Sequence, residues 1–149
     1  MTGPALGPVL ILDTSVVLKW FLEKDEADVA QARQLRQAHL SGRCLLRAPD
    51  LLLIEIANAL TVGHRSSIEN VARALEDIRK LRLHLVEFQF STLAKAVELA
   101  STFGVTVYDS YFLALAIESA ALLITADIAF IRRVGGHRAV TSLGSLELG

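Results

Sequence analysis

The chain has 149 residues, a formal net charge of -1 and 52% hydrophobic residues, a size suited to one domain around a single sizeable core. The near-neutral charge excludes a global basic field for capturing nucleic acid, so a polyanionic partner must be held by a local patch or through metal. The single cysteine, Cys44, excludes an intramolecular disulfide and fits a reducing cytoplasm.

The N-terminal stretch "MTGPALGPVLILDTS" lacks a basic region, and its apolar run stops at Asp13, so no secretory signal is expected. No apolar run reaches the length of a membrane span, and no membrane partner is expected. There is no repeat, linker or low-complexity segment. The expectation is one domain over residues 1–149, with 1–8 as a flexible extension.

"VLIL", Val9 to Leu12, reads as a short buried strand. "DTS" follows, where Ser or Thr can cap a helix from about Val16. A helical pattern covers about Asp25 to Leu40, with Ala27, Ala30, Leu35 and Ala38 near one side, and Gly42 ends it. "CLLRAP" is a second strand. Asp50 stands in cap position before a buried helix from Leu51 to Val62. "SSIENVARALEDIRKL" places Ile68, Val71, Ala72, Leu75, Ile78 and Leu81 at helical spacing. "LHLVEF" is a strand, Thr92 to Phe103 a helix stopped by Gly104, and "VTV" a link to a helix from about Tyr108 to Ala120. "ALLIT" is a strand, Ile128 to Arg133 a short helix, and "RAVTSL" a weak last strand.

Short apolar strands alternating with helices predict an α/β chain with three layers around a parallel sheet. Ligand sites in such sheets gather at the carboxyl ends of the strands. Three acids stand there or nearby: Asp13 directly after "VLIL", Asp127 one residue beyond "LLIT", and Asp109 just after "VTV". Glu55 lies one helical turn past the second strand, so it reaches the same edge. Its helical neighbours Leu51, Leu52 and Ala59 are apolar, and no lysine or arginine lies within Leu51 to Leu60. A carboxylate against such a wall needs a cation, a hydrogen-bond network or a proton. Several converging carboxylates with no histidine or cysteine suit a hard divalent ion, Mg²⁺ or Mn²⁺. Asn58 and Ser15 are placed to hold such ligands from behind.

Each acid also has a plainer reading: Asp13, Asp109 and Asp127 as caps or turn residues, Glu55 as a neutral or internally paired glutamate. Their common placement argues against all four at once. His39, His64, His84 and His137 show no metal-ligand spacing. Cys44 and Trp20 read as core, and Arg79, Lys80 and Arg82 as a solvated helix end. Arg132 and Arg133 follow Asp127 closely enough to meet phosphates beside the acids.

"LDTSVVLKWF", "LLIEIANAL", "TVYDSYFLALA" and "LLITADIAF", in this order, resemble the PIN-domain ribonucleases, and within them the VapC toxins of toxin–antitoxin pairs. The resemblance runs from about Val9 to Val140. It implies a parallel five-stranded sheet between helices and a Mg²⁺- or Mn²⁺-dependent cut in RNA. The family's acids match Asp13, Glu55, Asp109 and Asp127, and its supporting polar positions match Thr14, Ser15, Asn58 and Thr125. On this pattern Asp13, Glu55 and Asp109 hold the principal cation, and Asp127 holds a second or orients water. Homodimers and a cognate antitoxin protein are the implied partners. A predominantly apolar partner segment is expected over the helices at Val16–Leu22 and Val29–Leu40.

Competing readings fit less of the chain. A haloacid-dehalogenase-like phosphatase wants a second Asp where Ser15 stands, and both it and a receiver domain want a late lysine, whereas the last lysine is Lys95. A binding module that keeps its acids only for structure, or a housekeeping RNA-processing nuclease without an antitoxin, remain as alternatives.

Overall fold

The computed structural model describes residues 7–22 and 27–148. Five parallel strands form one sheet: β1 (Val9–Leu12), β2 (Leu45–Pro49), β3 (His84–Val86), β4 (Leu122–Thr125) and β5 (Val140–Ser142), in the order β3-β2-β1-β4-β5. The helices are α1 (Thr14–Leu18), α2 (Val29–Leu40), α3 (Leu51–Asn58), α4 (Ile68–Leu81), α5 (Phe90–Phe103), α6 (Val107–Glu118) and α7 (Ile128–Arg133). The chain steps outward from β1 to β3, then crosses back to β4 and β5. Right-handed crossovers therefore put α1–α4 on one face and α5–α7 on the other, giving three layers. The strand order reverses between β1 and β4, where such sheets open a crevice.

The central strands are apolar because both of their faces are covered: Ile11, Leu12, Leu46, Ala48, Leu123 and Ile124 are all buried. Helix α6 is apolar almost all round, since Ser110 to Ala116 are buried without interruption between α5 and the sheet. It ends where Ala120 takes a left-handed backbone, φ +49°. No single helix among the described residues is long and apolar enough to cross a membrane.

Several expectations shift. Asp13, not Ser or Thr, caps α1, and the helix starts at Thr14 because the Asp13 side chain takes the Ser15 amide. The second helix starts at Val29; Asp25 lies outside the described residues. Its core face is Ala32, Leu35 and Ala38, while Ala27 and Ala30 are exposed. Asp50 has helical backbone and makes no side-chain cap bond. The α3 helix ends in a π-turn, Ala59–Gly63; Leu52, Ile56 and Leu60 are buried at i, i+4 spacing, and Ile54 and Val62 are exposed. On α4 the buried line runs through Ala74 and Ile78, and Ile68 stands in solvent. At the N-terminus, Pro8 O accepts the Leu45 amide at 2.9 Å, and Gly7 lies so close to Arg43 that a Cβ there would sit 1.8 Å from its carbonyl oxygen.

Over the helices expected to meet a partner segment, Leu18, Phe21 and Leu22 are half-buried, and several other apolar residues are taken by the core. Val16, Val17, Trp20, Ala32, Leu35 and Ala38 belong to the protein's own core, with the Trp20 indole N–H donating to Ala32 O at 2.8 Å. Leu40 at the end of α2 is exposed, and exposed apolar groups away from these helices include Ile54, Phe88, Phe90 and Tyr108. Ile54, Phe88 and Tyr108 share a groove of about 560 Å³ between α3 and α6.

Candidate active site

Asp13 ends β1, and its amide donates to Ile124 O on β4 at 3.0 Å, which fixes the residue at the mouth of the crevice. Three donors meet its Oδ2: the Ser15 amide at 3.3 Å, the Ser15 hydroxyl at 2.5 Å and the Thr125 hydroxyl at 3.0 Å. Each hydroxyl has one proton to give. Ser15 Oγ accepts the Ala126 amide and Thr125 Oγ1 accepts the Asp127 amide, at 3.0 and 3.1 Å, so both hydroxyls point their protons at Asp13. That arrangement suits an ionised carboxylate. Burial opposes it more strongly and raises the Asp13 pKa, with the charge of Asp127 adding to the rise.

Glu55 projects from α3 beside the loop after β1. The Thr14 hydroxyl donates to its Oε2 at 3.2 Å, while Oε1 is buried with no hydrogen-bond partner. Desolvation, then the charge of Asp13 and, beyond the opposing Thr14 bond, that of Asp109 push its pKa up to about 7.

Asp109 occupies the first turn of α6 without capping it. Thr106 is the cap, its hydroxyl accepting the Asp109 amide at 3.1 Å. Desolvation and then Asp13 raise the Asp109 pKa, a bond with Thr106 lowers it, and Asp127 raises it further. Asp127 does serve as a cap, its Oδ1 accepting the Phe130 amide at 3.0 Å, yet its charge is felt by both Asp13 and Asp109.

The four acids are thus neighbours in one electrostatic field. They are not a closed cage: no three histidine, cysteine or acidic side chains among the described residues stand ready-placed around one ion position. An all-oxygen donor set, raised proton affinities and an orphaned, buried Glu55 oxygen fit a hard divalent cation.

Of the supporting residues read from sequence, Thr14, Ser15 and Thr125 bond directly to Asp13 or Glu55. Asn58 does not; it is exposed at the end of α3, where the helix loosens into the π-turn. Both arginines are exposed; Arg133 lines a groove of about 390 Å³ with Thr106, Asp109 and Asp127, and Arg132 is outside that lining. Two features went unread. Thr106 stands three residues before Asp109, a cap spacing that "TVYD" displays. Ser110 is fully buried with an unpartnered hydroxyl, for which its sequence gives no signal.

A family model for the PIN domain matches residues 10–136. No curated protein matches the chain. Among solved structures, PAE2754 from Pyrobaculum aerophilum aligns at 19% identity over 93% of each chain, with a TM-score of 0.64. A toxin–antitoxin complex from Klebsiella pneumoniae aligns at 15% identity, over 90% of this chain and 97% of that one, with a TM-score of 0.66. VapBC2 from Rickettsia felis, bound to a DNA fragment from the promoter, aligns at 16% identity, over 90% and 98%, with a TM-score of 0.64. These likenesses concern the fold; the family match covers most of the sequence, and the chain belongs to the PIN-domain family.

Proposed function

We propose that this PIN domain is a Mg²⁺- or Mn²⁺-dependent endoribonuclease and the toxin of a VapBC-like pair, acting in the cytoplasm. PIN domains are nucleases. The observation that carries the metal-dependent reading is the buried, unpartnered Glu55 oxygen facing the fields of Asp13 and Asp109. Asp13, Glu55 and Asp109 would hold the principal cation, with Asp127 beside them. A cation bound there would lower the pKa of a water and screen charge on the phosphodiester. The chain's own residues supply the rest. Ser15 and Thr125 keep Asp13 oriented, Thr14 keeps Glu55 oriented, and the coupled acids share the proton taken from the attacking water, so no single one is the base.

The toxin reading is supported by the likeness to toxin–antitoxin complexes. The exposed apolar groove at Ile54, Phe88 and Tyr108 supports a protein partner there, most simply a second copy of the chain. Purified protein should cut total RNA with Mn²⁺ and stop with chelator; equal cutting in chelator would refute the metal dependence. Expression alone should arrest growth, and co-expression of the adjacent gene should relieve the arrest. Light scattering should show a dimer that Ile54→Asp dissociates.

A further inference from the structure

Arg133 is a cation in an unusual position. It shares its groove with Asp109 and Asp127, yet it forms no ion pair with either carboxylate. Its Nη1 donates instead to Gly104 O, the carbonyl that follows α5, at 3.1 Å. Gly104 holds that carbonyl in place with a left-handed backbone, φ +66°. One of five guanidinium donors is therefore used to anchor the head group across the mouth of the groove. The others remain for a ligand.

The groove is the right kind of place for one. It is lined by Val105, Thr106 and Phe130 as well as Arg133 and two of the four acids, Asp109 and Asp127. A strand of nucleic acid whose scissile phosphate sits at the acids must lay its next phosphates along such a groove. Those phosphates are repelled by the carboxylates, and a cation lining the same groove offsets that repulsion. A planar, tethered guanidinium binds phosphate with two parallel hydrogen bonds. A purely structural tether between α7 and α5 would need only the one donor already used.

We infer that Arg133 is a positioning residue that binds a backbone phosphate of single-stranded RNA neighbouring the scissile one, with the Gly104–Phe130 groove holding the intervening nucleotide. This rests on the ribonuclease reading for its substrate class, but it concerns binding rather than cutting. Arg132, exposed on the next position of α7 and outside the groove, takes no part.

The test is binding of a short fluorescent oligouridylate in Ca²⁺, followed by anisotropy over a series of salt concentrations. Arg133→Gln should weaken binding about tenfold and reduce the slope of log affinity against log salt by about 0.7, the value for one single-strand phosphate contact. Arg133→Lys keeps the charge and should restore the slope while recovering only part of the affinity. Arg132→Gln should match the unchanged protein, and thermal midpoints should confirm that all variants are folded. Wild-type affinity and slope in Arg133→Gln would overturn the inference, as would failure of the unchanged protein to bind the oligonucleotide. Failure of the ribonuclease reading is seen separately, as RNA left intact with Mn²⁺ by a protein that still binds it.

Discussion

The Thr125 hydroxyl donates to Asp13 Oδ2 at 3.0 Å across 112 residues of chain, and Thr125 Oγ1 itself accepts the Asp127 amide at 3.1 Å. One buried side chain thus ties the acid after β1 to the acid after β4. Thr125→Val keeps the shape but leaves the Asp127 N–H without its acceptor and Asp13 one donor short. It should cost about 1–3 kcal/mol of stability and lower RNA cleavage by about 10–100-fold. Thr125→Ser keeps the hydroxyl and should retain most of both. Denaturant melts and initial cleavage rates, compared between the two variants, decide it; equal activity would mean the hydroxyl is idle.

Glu55 binds its proton more tightly folded, at about 7, than at its ordinary 4.5. Its contribution to stability is complete below about 4.5 and is lost as pH rises through 7. Asp13 and Asp109, also raised, act in the same direction. In chelator the protein should therefore lose stability as pH rises from 5 to 8. Glu55→Gln should remove about 1–2 kcal/mol of that loss, a figure reduced for the solvent screening of a half-buried group. Melts of both proteins across this range provide the check, and parallel curves would count against the assignment.

Divalent metal should reverse the pattern. A bound cation favours the carboxylates, so Mn²⁺ at about 100 times its dissociation constant should add about 2.7 kcal/mol and flatten the dependence on pH. Binding should also release protons, measurable by calorimetry in buffers of different ionisation enthalpy. A melting midpoint indifferent to Mn²⁺ would contradict the site.

Ala120 carries a left-handed backbone, φ +49°, just after the C-cap of α6. Glycine adopts that conformation without the Cβ penalty. Ala120→Gly should stabilise the protein by about 0.5–1 kcal/mol and leave cleavage unchanged. A loss of stability would mean the Ala120 methyl contributes packing that outweighs its strain.

The elements were legible because their signals are local. Val9–Leu12 and Leu122–Thr125 are unbroken apolar runs ended by a polar residue, and Gly104 marks a helix end by its φ. Asp13 and Asp127 were expected together because both follow strands; Asp109 follows no strand but stands in the first turn of α6, and the fold brings these acids and Glu55 within one another's fields. What could not be read were facts of packing. Asn58 shares the α3 helix with Glu55 but is exposed, and the π-turn that follows it is announced by no residue type. On α1 and α2 a helical wheel does not tell which apolar residues the core takes: Val16, Val17, Ala32, Leu35 and Ala38 are buried, while Leu40 is exposed. Asp50 and Asp13 stand in equivalent cap positions in the sequence, yet only Asp13 caps, since the Asp50 backbone is already helical.

On the proposed function, Asp13, held by Ser15 and Thr125, serves chemistry rather than the fold alone. Asp13→Asn keeps the side-chain volume and an oxygen to accept the same hydroxyls, so the fold should survive while affinity for the cation falls. Cleavage of RNA in saturating Mn²⁺ by the purified, folded Asp13→Asn protein should fall by at least about a thousandfold, on the order of 4 kcal/mol in the barrier. Cutting at the normal rate would contradict the account.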